Sequence, residues 1–170
     1  MGIFDRIGDG KGTHKFQMRD SVMGVGEDSW IRNEDGDKVF KVDGKSMRVR
    51  QTFLLEDESG KNLVEIKERV MTVRDKMSIE VADGPSATVH KKLIGIRDRY
   101  KVEINGGGEL DAHGDIADHE YEIERDGDTV ARVSKDWFKV NDTYGIEILD
   151  GEDDVLLIAV TVCIDALSDD

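Results

Sequence analysis

The sequence predicts a mainly β domain: one closed sheet built from two related halves, with a single enclosed apolar segment after it. Three observations predict this. Apolar and polar residues alternate with a period of two over most of the chain. The succession of strands and turns occurs twice. A run without polar interruption then follows, from Val155 to Leu167 apart from Thr161 and Asp165.

The 170 residues suffice for one domain, and 38% hydrophobic content suffices for one core. Eighteen glycines and a single proline, Pro85, favour many short turns over long helices. Residues 1–15 hold four glycines and no periodicity, and read as a mobile tail before a single domain over 16–170. Strand signals come next, in Val39–Asp43, Met47–Gln51 with Thr52–Leu55, Leu63–Lys67, Met71–Arg74 and Met77–Val81. Turns such as Glu58-Ser59-Gly60-Lys61 carry the Gly and Asp that hairpins need.

The same order returns in Tyr100–Ile104, Tyr121–Glu124, Val130–Ser134, Trp137–Val140 and Tyr144–Ile148. The shift that carries Gly60 onto Gly127 also carries Leu63 onto Val130, Ile66 onto Val133, and Met77 onto Tyr144. It carries Ile79-Glu80 onto Ile146-Glu147 without a gap. A three-residue indel extends the match upstream, pairing Gly44 with Gly114. The half-repeats span about 30–84 and 98–149. Two copies are too few for a solenoid, and they suggest one closed sheet with pseudo-two-fold symmetry and no exposed edge.

The segment from about 153 to 167 reads two ways. Glu152, Asp153 and Asp154 suit a helix start, where a cap and the dipole favour carboxylates. The β-branched content of the run instead suits a fully buried strand. As a helix it is apolar on all sides and must be enclosed by protein. Its unbroken stretch from Val155 to Ile164 is too short to span a bilayer.

Charge limits the partners. Thirty-eight acidic and 24 basic residues leave a net charge of −14, which repels nucleic acid and anionic surfaces unless a local basic patch overrides it. The acids gather in turns such as Glu34–Asp37 and Asp150–Asp154, the pattern of a solvated surface or of adaptation to high salt. One cysteine, Cys163, excludes an intramolecular disulfide and a Cys-based zinc site, and its apolar surroundings suit an inert core thiol. The charged start Asp5-Arg6 carries no secretory signal, so a cytoplasmic location is expected.

The segment from Tyr121 to Ile148, with Ser134-Lys135-Asp136-Trp137-Phe138 and Asp142-Thr143-Tyr144 as its most specific part, resembles the LURP-one-related family. The resemblance extends over roughly residues 16 to 167. It implies the tubby C-terminal-like fold, shared with relatives of the phospholipid scramblases: a twelve-stranded antiparallel barrel of two halves around a central hydrophobic helix. Tubby domains bind phosphoinositide headgroups, and some plant members are linked to defence. The resemblance itself names no reaction.

Three constellations are candidates for chemistry. Lys91, Lys92, Arg97, Arg99 and Lys101 form a basic stretch in an acidic chain, and on a strand Arg97, Arg99 and Lys101 share one face. Converging cations of this kind bind anionic headgroups and other phosphates. The plainer reading is a solvated strand face paired with acids. The segment Asp111–Glu120 holds His113, His119 and several carboxylates, but a six-residue His spacing fits no common metal motif, and no metal is expected. Trp137 and Phe138 read as one strand residue in and one out, with Trp137 or Phe138 filling the barrel wall, and a membrane-dipping aromatic pair is the alternative.

No nucleophile elbow, Walker loop or His-Glu-x-x-His helix is present. The expected function is therefore a non-enzymatic intracellular binding or scaffold domain without a cofactor. Its candidate partner is an anionic lipid headgroup at a membrane surface. The alternatives are a protein-interaction module using the acidic surface, and an enzyme site around His113 and His119.

Overall fold

The structure, a computed structural model, describes residues 12–19, 28–47, 50–68, 76–92, 99–137 and 143–168, with the side chains of 28, 44–47, 50 and 51 left aside. The first half of the chain gives β1 (Thr13–Arg19), β2 (Asp28–Arg32), β3 (Lys38–Met47), β4 (Arg50–Asp57), β5 (Asn62–Glu68) and β6 (Lys76–Val81). The second half gives β7 (Ala87–Lys92), β8 (Arg99–Ile104), β9 (Glu109–Asp115), β10 (Glu120–Arg125), β11 (Asp128–Ser134) and β12 (Thr143–Leu149). Helix α1 (Asp154–Ser168) follows.

Each strand pairs antiparallel with the next, and β1 pairs with β12 over its whole length, so the twelve strands close into a barrel. Closure leaves no strand edge unpaired. Strand alternation sends one phase inward: Tyr100 and Val102 of β8, and Tyr121 and Ile123 of β10, are buried, whereas Lys101, Glu103, Glu122 and Glu124 face out.

The two halves share detail below the level of strand order. Gly60 and Gly127 close equivalent turns with φ of +86° and +87°. An extra residue interrupts the ladder at Leu63 between β4 and β5, and at Val130 between β10 and β11. Those positions correspond under the sequence shift, so the bulge belongs to the repeated unit.

The apolar segment is a helix. From Leu156 to Leu167 every residue is buried, on all sides. Fifteen residues with many Val and Ile among them form a marginal helix in water. Inside a closed barrel, however, no strand offers free backbone partners, and a helix alone satisfies its own N–H and C=O groups. Enclosure therefore decides between the two sequence readings. Asp153 caps the start, its Oδ1 accepting the Leu156 N–H at 3.1 Å. No helix among the described residues is long and apolar enough to cross a membrane.

Several sequence expectations shift. β1 begins at Thr13, inside the segment read as a tail. The expected half-repeats, about 30–84 and 98–149, open on β2 and β8, with β1 and β7 preceding them. Of the expected strand Met47–Gln51, Met47 ends β3, Arg50 and Gln51 begin β4, and residues 48 and 49 lie outside the described residues. Trp137 stands in a turn after β11 rather than in a strand. Met71–Arg74 and Phe138–Val140 lie outside the described residues.

Candidate functional site

The helix fills the lumen, so ligand-sized binding has to use the outer surface or the rims. Three places concentrate polar side chains.

The first is the outer face of β6, β7 and β8. Cross-strand register aligns Lys76 with His90, His90 with Lys101, and Lys92 with Arg99, and directly opposed residues share a face. Arg99 is exposed and has no ion-pair partner among the described residues. Lys92 lies 3.4 Å from Asp111, and Lys101 lies 3.0 Å from Glu109. Partial burial lowers the pKa of His90, and Lys76, Lys101 and Lys92 lower it further against the pull of Glu103. Glu109 holds the Lys101 pKa above its ordinary value.

Of the five predicted cations, three converge here: Lys92, Arg99 and Lys101. Lys91 does not join them. It pairs with the buried Tyr100 and so takes the inward phase at the end of β7. Ala87 and Val89, the apolar members of the same alternation, already set that phase in the sequence. Arg97 lies outside the described residues. Lys76 and His90 are the members that sequence reading missed: Lys76 comes from a strand distant in sequence, and His90, next to Lys91, joins the face only through the strand register.

The second place is the outer face of β9 and β10. His113 is opposite Glu122, and Glu124 follows two residues on, on the same face. His113 Nε2 is 3.0 Å from Glu124 Oε1. One ligand atom from each of His113, Glu122 and Glu124 lies within 4.8 Å of the other two.

The third place is internal. His119 is in the turn between β9 and β10 with φ of +51°, and it is buried. Its Nδ1 lies 3.3 Å from Asp165 Oδ1 on α1. The Tyr144 hydroxyl donates to Asp165 Oδ2. The His119 and Tyr144 rings stack at 4.3 Å with 7° between planes. Burial raises the pKa of Tyr121 nearby, and burial also pushes the Cys163 thiol far up, so it stays protonated and unreactive. His113 and His119 therefore sit on opposite sides of the barrel wall and belong to no common site.

Of the aromatic pair, Phe138 lies outside the described residues, and Trp137 is the outward member. It is half-buried on the outer surface, with Lys15 Nζ 5.3 Å and the Arg132 guanidinium 5.7 Å from its ring centre. Those two cations flank Glu147 across the sheet. The ring thus accounts for the burial of an outward-facing carboxylate, 6% exposed.

These features define an up-and-down β-barrel plugged by its own helix, with polar chemistry on its outer wall and none in an open lumen. The chain belongs to the LURP-one-related family, whose model matches residues 14–165. It is 25% identical over 149 residues to the uncharacterised protein YxjI of Bacillus subtilis (strain 168), covering 87% of this chain and 90% of that one. It also shares its fold with a protein from Arabidopsis thaliana solved by X-ray methods. The TM-score there is 0.62 at 12% identity, over 92% of this chain and 91% of that one.

Proposed function

We propose that this domain is a non-catalytic, cytoplasmic binding module that takes an anionic, phosphate-bearing ligand on the outer face of β6–β8, a phosphoinositide headgroup in the first instance. The observation that carries this reading is the contiguity of Lys76, His90, Lys92, Arg99 and Lys101 on that face. A phosphate group accepts several charge-assisted hydrogen bonds from such a cluster. The pairs of Lys92 with Asp111 and Lys101 with Glu109 do not block it. Such solvent-accessible pairs are weak, so a doubly charged phosphate competes with them. The overall charge of −14 works against approach to an anionic membrane, so binding is expected to depend on specific headgroup contacts.

Co-sedimentation with liposomes tests this. Vesicles of phosphatidylcholine, with and without phosphoinositides, are compared at low and high salt. Retention by phosphoinositide vesicles alone, lost in an Arg99→Glu/Lys101→Glu variant, is the expected result. No binding to any mixture, or binding indifferent to both substitutions, sinks the proposal.

A further inference from the structure

We propose that the outer face of β9 and β10 binds a first-row divalent metal ion through His113, Glu122 and Glu124. The site adjoins the anionic-ligand face, with Arg99 standing opposite His113, but neither reading needs the other.

Strand geometry assembles the ligands. His113 and Glu122 face each other across one rung of the ladder, and Glu124 projects from the same strand face as Glu122. The rung cannot slip. Gly114, with φ of +141°, lies so close to β10 that a Cβ would meet Glu120 O at 2.6 Å and Tyr121 Cα at 2.7 Å. That close approach fixes the neighbouring His113 against Glu122, and the closed sheet holds both strands on their other sides.

The spacing fits a shared ion. Metal–nitrogen and metal–oxygen bonds of about 2.0–2.2 Å place neighbouring ligand atoms roughly 3–4 Å apart. His113 Nε2 and Glu124 Oε1 are already at 3.0 Å, and the three ligand atoms all lie within 4.8 Å of one another. Small rotations of the two glutamates close the set.

Charge supplies a second, independent reason. Glu122 and Glu124 are two half-buried carboxylates side by side on one strand face. Among the described residues no lysine or arginine forms an ion pair with either. The polar partner of Glu122 is the Thr129 hydroxyl at a long 3.5 Å, and that of Glu124 is His113. Elsewhere on the outer wall, half-buried or buried carboxylates such as Glu56 and Glu147 have a lysine beside them. Of the cations around the site, Arg99 stands opposite His113 on the side away from the glutamates and forms no ion pair with either, and two others are engaged elsewhere. Arg132, opposite Glu122, lies over Trp137, and Lys92 is drawn to Asp111. A divalent ion balances the charge that the protein leaves open there.

The donor set selects the metal class. One imidazole nitrogen and two carboxylate oxygens suit Zn²⁺, Mn²⁺, Fe²⁺, Co²⁺ or Ni²⁺. The imidazole disfavours Ca²⁺ and Mg²⁺, which prefer all-oxygen shells, and the lack of a thiolate disfavours soft monovalent copper. Three protein ligands leave coordination positions for water.

Isothermal titration calorimetry on the full chain, with ZnCl2 and MnCl2 in a non-chelating buffer, tests the site. The expected result is one ion per chain, with affinity at least tenfold weaker in His113→Ala and in the Glu122→Gln/Glu124→Gln double variant. Both variants are expected to keep the wild-type circular dichroism, because the three side chains lie on the outer wall. His14→Gln and His90→Gln are expected to bind as wild type does. Absence of saturable binding up to millimolar metal overturns the proposal. So does binding unchanged in both site variants, or binding lost in His14→Gln. Should His113→Ala fail to fold, the double variant, isosteric with wild type, decides. Lipid is absent throughout, so failure here leaves the vesicle experiment unaffected, and the reverse holds.

Discussion

Asp165 carries a carboxylate on α1 into the barrel, where Tyr144 and His119 meet it from the wall. Removing one member of a buried polar set leaves the others desolvated without a partner. Asp165→Ala is therefore expected to cost about 3 kcal/mol in urea unfolding, and Asp165→Asn, which keeps an acceptor, appreciably less. At the opposite end of α1, His14 of β1 sets each ring nitrogen against a carboxylate, Asp150 at 2.7 Å and Asp154 at 2.5 Å. Burial alone lowers the His14 pKa, but the hydrogen bonds and charges of Asp154 and Asp150 outweigh it, and the net shift is upward. A raised folded-state pKa means that the contribution is complete below the unfolded value of about 6.5 and disappears as pH rises through the folded value. The thermal midpoints of wild type and His14→Gln are accordingly expected to differ most below pH 6.5 and to converge above it, as scanning fluorimetry across pH would show. A wild-type advantage that grows with pH would contradict the assignment.

Among the elements, α1 depends on both its cap and its enclosure. Asp153→Ala removes the side-chain acceptor for the Leu156 N–H, and a loss of about 1 kcal/mol is expected from chemical denaturation. The acids before the run, the alternation in β5, β8 and β10, and the turn glycines Gly60 and Gly127 were legible in the sequence because each is a local signal. Helix and strand were not separable for Val155–Leu167, because the deciding fact is the closure of a barrel formed by distant residues. β1 and β7 escaped notice for a related reason: Thr13–Arg19 and Ala87–Lys92 are rich in Lys, His, Arg and Thr, and each has only two apolar residues to mark its phase. The candidate site was legible in part. Lys92, Arg99 and Lys101 lie near one another in sequence, but their alignment with Lys76 and His90 is a matter of register. His113 and His119 look alike in sequence, yet the turn at His119, with its left-handed backbone, folds one inward while β9 holds the other outside.

At the scale of the whole molecule, wall and plug stabilise each other. The inward residues of all twelve strands form one core with α1. A chain truncated after Glu152 keeps every strand but loses the apolar filling, from Leu156 to Leu167, on which they pack. It is expected to bind a hydrophobic dye and to lose near-ultraviolet circular dichroism while retaining strand signal in the far ultraviolet. Native-like near-ultraviolet spectra from the truncated chain would show that the wall stands without its plug. The seam between β1 and β12 has a further consequence, for synthesis. Thr13 pairs with Leu149, so the first strand to leave the ribosome waits for the last before its outer edge is covered. The plug leaves later still. Early strands therefore spend most of translation as an open, half-apolar ribbon, the form most prone to pairing with other nascent chains. Closure waits until residues 143–168 have emerged, and the hazard to a cell making this protein is set by how quickly one seam and one helix arrive together.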